Sequence, residues 1–141
     1  MTGFPTAAVA DNLCLKAYYL LKKDYPVSPE IKIHLHKSIP TGSGLGGGSA
    51  DAVFTLQLLN TKFNLAIPEI KLYDYAMLLG SDCPFFLLNK PCLGKGRGEI
   101  LEQINLSLHG YKILLINPGI HINTAEAFSK VNPNDQGKSI K

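Results

Sequence analysis

The run Ile39-Pro40-Thr41-Gly42-Ser43-Gly44-Leu45-Gly46-Gly47-Gly48-Ser49-Ala50-Asp51 constrains this chain more than any other feature. Before it, Glu30 to Lys37 alternates Ile31, Ile33 and Leu35 with Lys32, His34 and His36, the pattern of a half-buried strand. After it, Ser49 opens a segment to about Asn60 whose Ala52, Val53, Leu56 and Leu59 make one helical stripe. A glycine and serine run taken alone reads as a flexible linker. Joining a strand directly to a helix, it has a defined place. Glycines there admit positive φ and let backbone N–H groups approach a ligand, and the helix start adds unpaired N–H groups and a positive dipole end. That is the chemistry of a phosphate cradle. No Gly-Lys-Ser/Thr closes the loop, so it is not a Walker A motif, and no acid-terminated second strand makes it a dinucleotide fingerprint. Asp51 suits the helix dipole but repels phosphate, so it either points away or shares a cation with the phosphates.

The remainder reads as an ordinary globular chain of 141 residues, 45% hydrophobic and 18% charged. Its net charge of +3 comes from basic residues scattered along the sequence, not gathered on one face, so no nucleic-acid partner is expected. No apolar stretch approaches the ~20 residues of a membrane span, and Met1 to Asn12 lacks the pattern of a signal peptide. Cys14, Cys83 and Cys92 fit no metal-ligand spacing and read as free thiols of a reducing cytoplasm. His34 and His36 read as the exposed face of a strand, because no third ligand is near them in sequence.

Helices are expected from Asp11 to about Lys23, with Asp11 or Asn12 as N-cap, and from Pro68 to Leu79, stopped by Gly80. Pro84 to Leu88 and Lys112 to Ile116 read as buried strands, Pro91 to Glu99 as turns, and Asn123 to Val131 as a last helix behind a capping box. Asn132 to Lys141 is polar and expected to fray. The mixture is α+β, with too few strands to cover its helices, as in an excerpt of a larger fold. Asp82, between the Gly80 stop and the apolar Cys83-Pro84-Phe85-Phe86, is either a capping residue or a carboxylate whose burial something must use.

The glycine loop is similar to the phosphate-binding loop of the GHMP kinases, Pro-x-x-x-Gly-Leu-Gly-x-Gly/Ser-Ser-Ala/Ser. Within that superfamily the diphosphocytidyl-methylerythritol kinases are resembled most. Gly80-Ser81-Asp82-Cys83-Pro84-Phe85-Phe86 resembles their Gly-Ala/Ser-Asp-x-Pro-Phe-Phe segment, and Gly94-x-Gly96-Arg97-Gly98-Glu99 their Gly-x-Gly-Glu turn. Pro118-Gly119-x-x-Ile122-x-Thr124-x-x-x-Phe128 resembles their substrate-side segment, and Asp11-Asn12-Leu13 their Asn-Leu-Val helix start. The likeness runs in order from about Ala10 to Val131.

The resemblance implies transfer of the ATP γ-phosphoryl group to a tertiary hydroxyl of a cytidylyl substrate, with ATP and Mg²⁺ as cofactors. It implies Asp82 as general base and Asn12, Lys37, Pro40, Gly42, Gly44, Leu45, Gly46, Gly47, Gly48 and Ser49 as ATP-binding residues. Asn12 and Lys37 would lie by the adenine, and Ser49 would also reach Mg²⁺. Arg97 (through its backbone), Thr124 and Phe128 would meet the cytidine end. In fold it implies a two-layer N-terminal domain, incomplete, over residues 1–103 and the opening of a C-terminal α+β domain over 104–141. No counterpart of the family's N-terminal Lys, aromatic–His pair or C-terminal glycine motif stands in this sequence, so an internal or truncated portion is expected. Other readings are a homoserine- or mevalonate-type GHMP kinase, or a nucleotide-binding module without catalysis.

Overall fold

Asn12 begins the first helix as its side chain dictates: its Oδ1 accepts the Cys14 N–H at 2.9 Å, satisfying one of the amides a helix start leaves over. Helix α1 then runs Leu13–Asp24 and ends with Lys22 and Lys23 against the negative end of its dipole. Its buried residues Cys14, Ala17, Tyr18 and Leu21 recur at three and four and form one face. The computed structural model describes residues 1–4, 11–25, 30–116 and 129–131.

Helix α2, Gly47–Lys62, starts two residues earlier than the stripe suggested and buries Ala52, Val53, Leu56 and Leu59. Beyond it the chain turns through Asn64 and Ala66, both at positive φ. The Asn60 side chain closes this link, accepting from the Ile67 N–H at 3.0 Å and donating to the Ile67 carbonyl at 3.2 Å. Helix α3, Glu69–Leu79, has Pro68 as N-cap and Gly80 as C-cap and buries Leu72, Tyr75 and Ala76. Leu21, Leu56, Leu59, Ile67, Leu72 and Tyr75 interlock the three helices into one core, and Ala52, Val53, Ala76 and Cys83 form a second cluster beside it. Each fully buried aliphatic side chain there contributes on the order of 1.5–3 kcal/mol.

Four expectations change. Cys83–Leu88 is a helix, α4, and not a strand. Pro84 falls in its first turn, where a missing N–H costs nothing, and Asn89 ends it at positive φ. The strand expected from Glu30 to Lys37 shrinks to β2, His36–Lys37, which pairs in parallel with β1, Thr2–Gly3. Before it, residues 30–35 alternate in sequence but belong to neither sheet. Lys112 to Ile116 has no regular secondary structure, belongs to neither sheet, and is exposed, Ile113 and Leu114 at 82% and 85%. The turn-rich stretch from Pro91 proves to be a hairpin. Strands β3, Cys92–Lys95, and β4, Ile100–Gln103, pair antiparallel from Cys92 opposite Gln103 to Lys95 opposite Ile100. The architecture is α+β, four helices with two two-stranded sheets among the described residues. The helix expected from Asn123, and the polar end from Asn132, lie outside the described residues but for 129–131. Among the described residues no helix is long and apolar enough to cross a membrane.

The Tyr75 hydroxyl donates to Asp24 Oδ2 at 2.5 Å, tying α3 to the end of α1. Burial first, and then this bond to a carboxylate, push the Tyr75 phenol well above its ordinary value. The unfolded chain releases that proton near pH ~10 while the folded chain still holds it. Stability from this contact is therefore complete below pH ~10 and is lost as pH rises above it. Tyr75→Phe should cost about 1.5–3 kcal/mol in urea denaturation at neutral pH and flatten the loss of stability at alkaline pH.

Candidate functional site: the glycine loop and its two cavities

The loop expected to cradle an anion is built around one backbone requirement. Gly46, the N-cap of α2, sits at φ +68°. A Cβ there would lie 2.9 Å from the edge of the Phe86 ring of α4, so the position excludes a side chain twice, by conformation and by space. The Gly46 carbonyl accepts the first helical bond, from Ala50 N–H at 2.9 Å. The amides of the first turn have no intrahelical partner, and no side chain caps them.

Two adjoining cavities flank this turn. One, of about 190 Å³, is lined by the loop from Pro40 to Ser49, all but Leu45, and by Leu13. The other, of about 230 Å³, is lined by Asn12, Cys14, Leu35, Lys37 and Asp51 together with Leu13, Thr41 and Gly48, which also line the first. Asn12, Lys37, Pro40, Gly42, Gly44, Gly46, Gly47, Gly48 and Ser49 thus line one or other of two cavities that share Leu13, Thr41 and Gly48. Leu45 stands apart, 45% exposed and lining neither cavity.

Lys37 is the buried charged residue of this wall, 4% exposed, and its Nζ pairs with Asp51 Oδ2 at 2.5 Å. The same ammonium lies 3.2 Å from where a Cβ on Gly47 would be, close under the first turn of α2. The position of Asp51 is thereby settled: its carboxylate is turned to Lys37. The Cys14 thiol shares this wall. Burial pushes it up, a hydrogen bond with Thr55 pulls it back, and the Asp51 and Lys37 charges act on it in opposite directions.

Asp82 is placed differently from the sequence argument. It is exposed, and the buried residues are its neighbours Cys83 and Pro84. It occupies the N-cap position of α4, but its side chain makes no capping bond. A hydrogen bond between Ser49 and the Cys83 thiol, whose ionisation burial otherwise pushes up, joins the first turns of α2 and α4. Asp82 is in this way held beside the end of the glycine loop, with its Oδ1 3.8 Å from where a Cβ on Gly98 would be.

Gly98 belongs to the β3–β4 turn, and Tyr73 anchors that turn by donating to the Glu99 carbonyl at 2.7 Å. The Glu99 carboxylate accepts the Arg97 N–H at 2.7 Å. Its own amide first, and that of Arg97 next, hold its carboxyl below the ordinary carboxylate value. Arg97, expected to meet a substrate through its backbone, has its amide engaged within the turn. Thr124 and Phe128 lie outside the described residues. Sequence reasoning missed Phe86, Tyr73 and Glu99, and it saw Asp51 without its partner, since contacts across helices leave no periodic trace. Among the described residues no three His, Cys, Asp or Glu side chains group into a metal cage.

Gly46→Ala and Gly44→Ala separate strain from crowding. Both glycines have positive φ, but nothing lies within 4 Å of a Cβ on Gly44. Gly44→Ala should cost about 1 kcal/mol and Gly46→Ala about 1–3 kcal/mol more as Phe86 is displaced, read as the difference in urea midpoints. Equal midpoints would show that Phe86 does not bear on the loop.

Comparison with known proteins agrees with this geometry. The family model described as the N-terminal domain of GHMP kinases matches residues 12–90. The 4-diphosphocytidyl-2-C-methyl-D-erythritol kinase of Bacteroides fragilis is 48% identical over 130 residues, 92% of this chain and 47% of that protein. That of Azobacteroides pseudotrichonymphae is 52% identical over 131 residues, 92% of this chain and 49% of that protein. A crystal structure of 4-(cytidine 5'-diphospho)-2C-methyl-D-erythritol kinase superposes with a TM-score of 0.64 at 30% identity, over 81% of this chain and 44% of that one. The chain spans about half the length of the curated relatives it matches. From the matched domain and these relatives, the chain belongs to the GHMP kinases.

Proposed function

We propose that this chain is the nucleotide-binding part of a 4-diphosphocytidyl-2-C-methyl-D-erythritol kinase, working in the cytoplasm on ATP and that substrate in non-mevalonate isoprenoid biosynthesis. The carrying observation is the junction of two cavities along Leu13, Thr41 and Gly48. Both are smaller than the ~300 Å³ at which drug-sized pockets begin; the one lined by Asn12 and Lys37 is fit for a base, and the loop cavity lies at a helix start fit for phosphates. The adenine enters the cavity of Asn12 and Lys37, and the triphosphate lies over Gly44 to Ser49. Continuous likeness to relatives of that name supports the choice of substrate.

Phosphoryl transfer asks a protein mainly for positioning and charge stabilisation. The first-turn amides of α2 receive phosphate oxygens, and Asp82, exposed at the loop's end, accepts the proton of the attacking 2-hydroxyl. Bound Mg²⁺ would supply neutralising charge, taking most of its ligands from phosphates and water. The amide cradle fits the phosphates that would carry the ion, and the Ser49 hydroxyl is the group that would meet the ion itself. By likeness to the family's substrate-side segment, Phe128 would stack on the cytosine and Thr124 would meet the cytidine end. Arg97 meets the cytidine end through the backbone of its turn, where the Glu99 carboxylate holds its amide. Residues 1–103 form the partial N-terminal domain and 104–141 open the next, in keeping with the exposed apolar run Ile113 to Ile116.

In a protein of the relatives' full length that carries these residues, Asp82→Asn should lower phosphoryl transfer by ~10²–10⁴ and leave ATP affinity unchanged. Phe128→Ala should weaken the cytidylyl substrate by ~1–3 kcal/mol without touching ATP. Turnover of homoserine or mevalonate in preference to the cytidylyl alcohol would overturn the substrate assignment.

A further inference from the structure

Asp51 has no part in the roles assigned so far, yet it is the one partner the geometry gives to a buried ammonium in the nucleotide cavity. Lysine ends a chain of four rotatable bonds, and its charge is costly to hold away from water without a counter-charge. Lys37 is nevertheless 4% exposed, while Asp51, at 27%, keeps part of its carboxylate in contact with the cavity and solvent. The Lys37 backbone is paired in β2, and Asp51 stands in α2 just past its first turn. A single carboxylate–ammonium bond of 2.5 Å between two rigid elements therefore defines where the Nζ sits. That place is the cavity wall, under Gly47, with Asn12 and Thr41 on the same lining. Ammonium has three donors, and Asp51 takes one of them.

We infer that Asp51 is a positioning residue for nucleotide binding, acting through Lys37 by holding its ammonium in the cavity wall with donors left to meet the ligand. This rests on the nucleotide reading above. A carboxylate acting through a lysine differs from one that touches the ligand, because its contribution vanishes when the lysine is gone.

The test is a thermodynamic cycle on this chain, with ATP affinity measured calorimetrically and folding followed by circular dichroism. Lys37→Met should weaken ATP by about tenfold or more, as for a lost hydrogen bond to a charged group. Asp51→Asn should weaken it by a similar factor, and the double variant should bind no worse than Lys37→Met alone. Losses that multiply would mean that Asp51 meets the ligand itself, and unchanged affinity in folded Asp51→Asn would leave a pair that serves stability only; either overturns the inference. Should Asp51→Asn not fold, Asp51→Glu carries the test, since it keeps the charge but moves it by one methylene. It should weaken ATP when Lys37 is present and have no effect beside Lys37→Met. Absence of ATP affinity in the unaltered chain would instead overturn the nucleotide reading, and this inference with it.

Discussion

The contact between the Phe86 ring and the bare Cα of Gly46 fixes where α2 begins and which way its first turn faces. Helix α2 is the element the others pack on, touching α1, α3 and α4. Its fully buried residues are small or branched, Ala52, Val53 and Leu56, which lets neighbouring helices come close. A helix so enclosed cannot rotate or slide without opening both clusters of the core. The position of its N-terminal amides is thus inherited from packing far from the loop. The loop can be rich in glycine without being loosely placed, because one end is clamped by α4 and the other continues from β2.

Charge is managed locally, not by the chain's overall balance. The +3 surplus is spread over the surface, whereas the site concentrates a helix start, one buried ammonium and one half-buried carboxylate in a small volume. The carboxylate keeps the ammonium from being an isolated buried charge, and the ammonium keeps the carboxylate from facing an incoming anion unscreened. The turn beside Asp82 follows the same logic. There the Glu99 carboxylate satisfies the Arg97 amide within the turn itself, and Tyr73 fastens it to α3.

Helical stripes and caps were legible because they are local: Asn12, Pro68 and Gly80 mark their helix ends as the sequence suggested. The glycine loop was legible from its two flanks, and the residues expected to meet ATP, Leu45 excepted, line two cavities that share Leu13, Thr41 and Gly48. Cys83–Leu88 was misread because a six-residue apolar run carries no period, and burial looks the same on a strand or a short helix. Residues 30–35 and 112–116 were misread because strand propensity needs a neighbour to pair with, and neither stretch has one in the two sheets. The hairpin over 92–103 was hidden by its glycines, which suggested only a turn. Of the two readings of Asp82, a cap or a buried carboxylate, the structure gives the N-cap position and exposure, because the start of α4 turns it outward while Cys83 and Pro84 point in.

The short parallel pairing of Thr2–Gly3 with His36–Lys37 ties together parts of the chain with unlike duties. Thr2 N–H donates to the Leu35 carbonyl and Phe4 N–H to that of Lys37, and both acceptor residues have side chains in the larger cavity. Gly3 lies so near the Lys37 carbonyl that a methyl group there would collide with it. Peeling residues 2–4 away strips two hydrogen bonds from the backbone that carries that wall. That pairing therefore makes the first residues part of the support of the cavity wall, and a spectroscopic label at Phe4, half exposed and lining neither cavity, would report on that support from outside it.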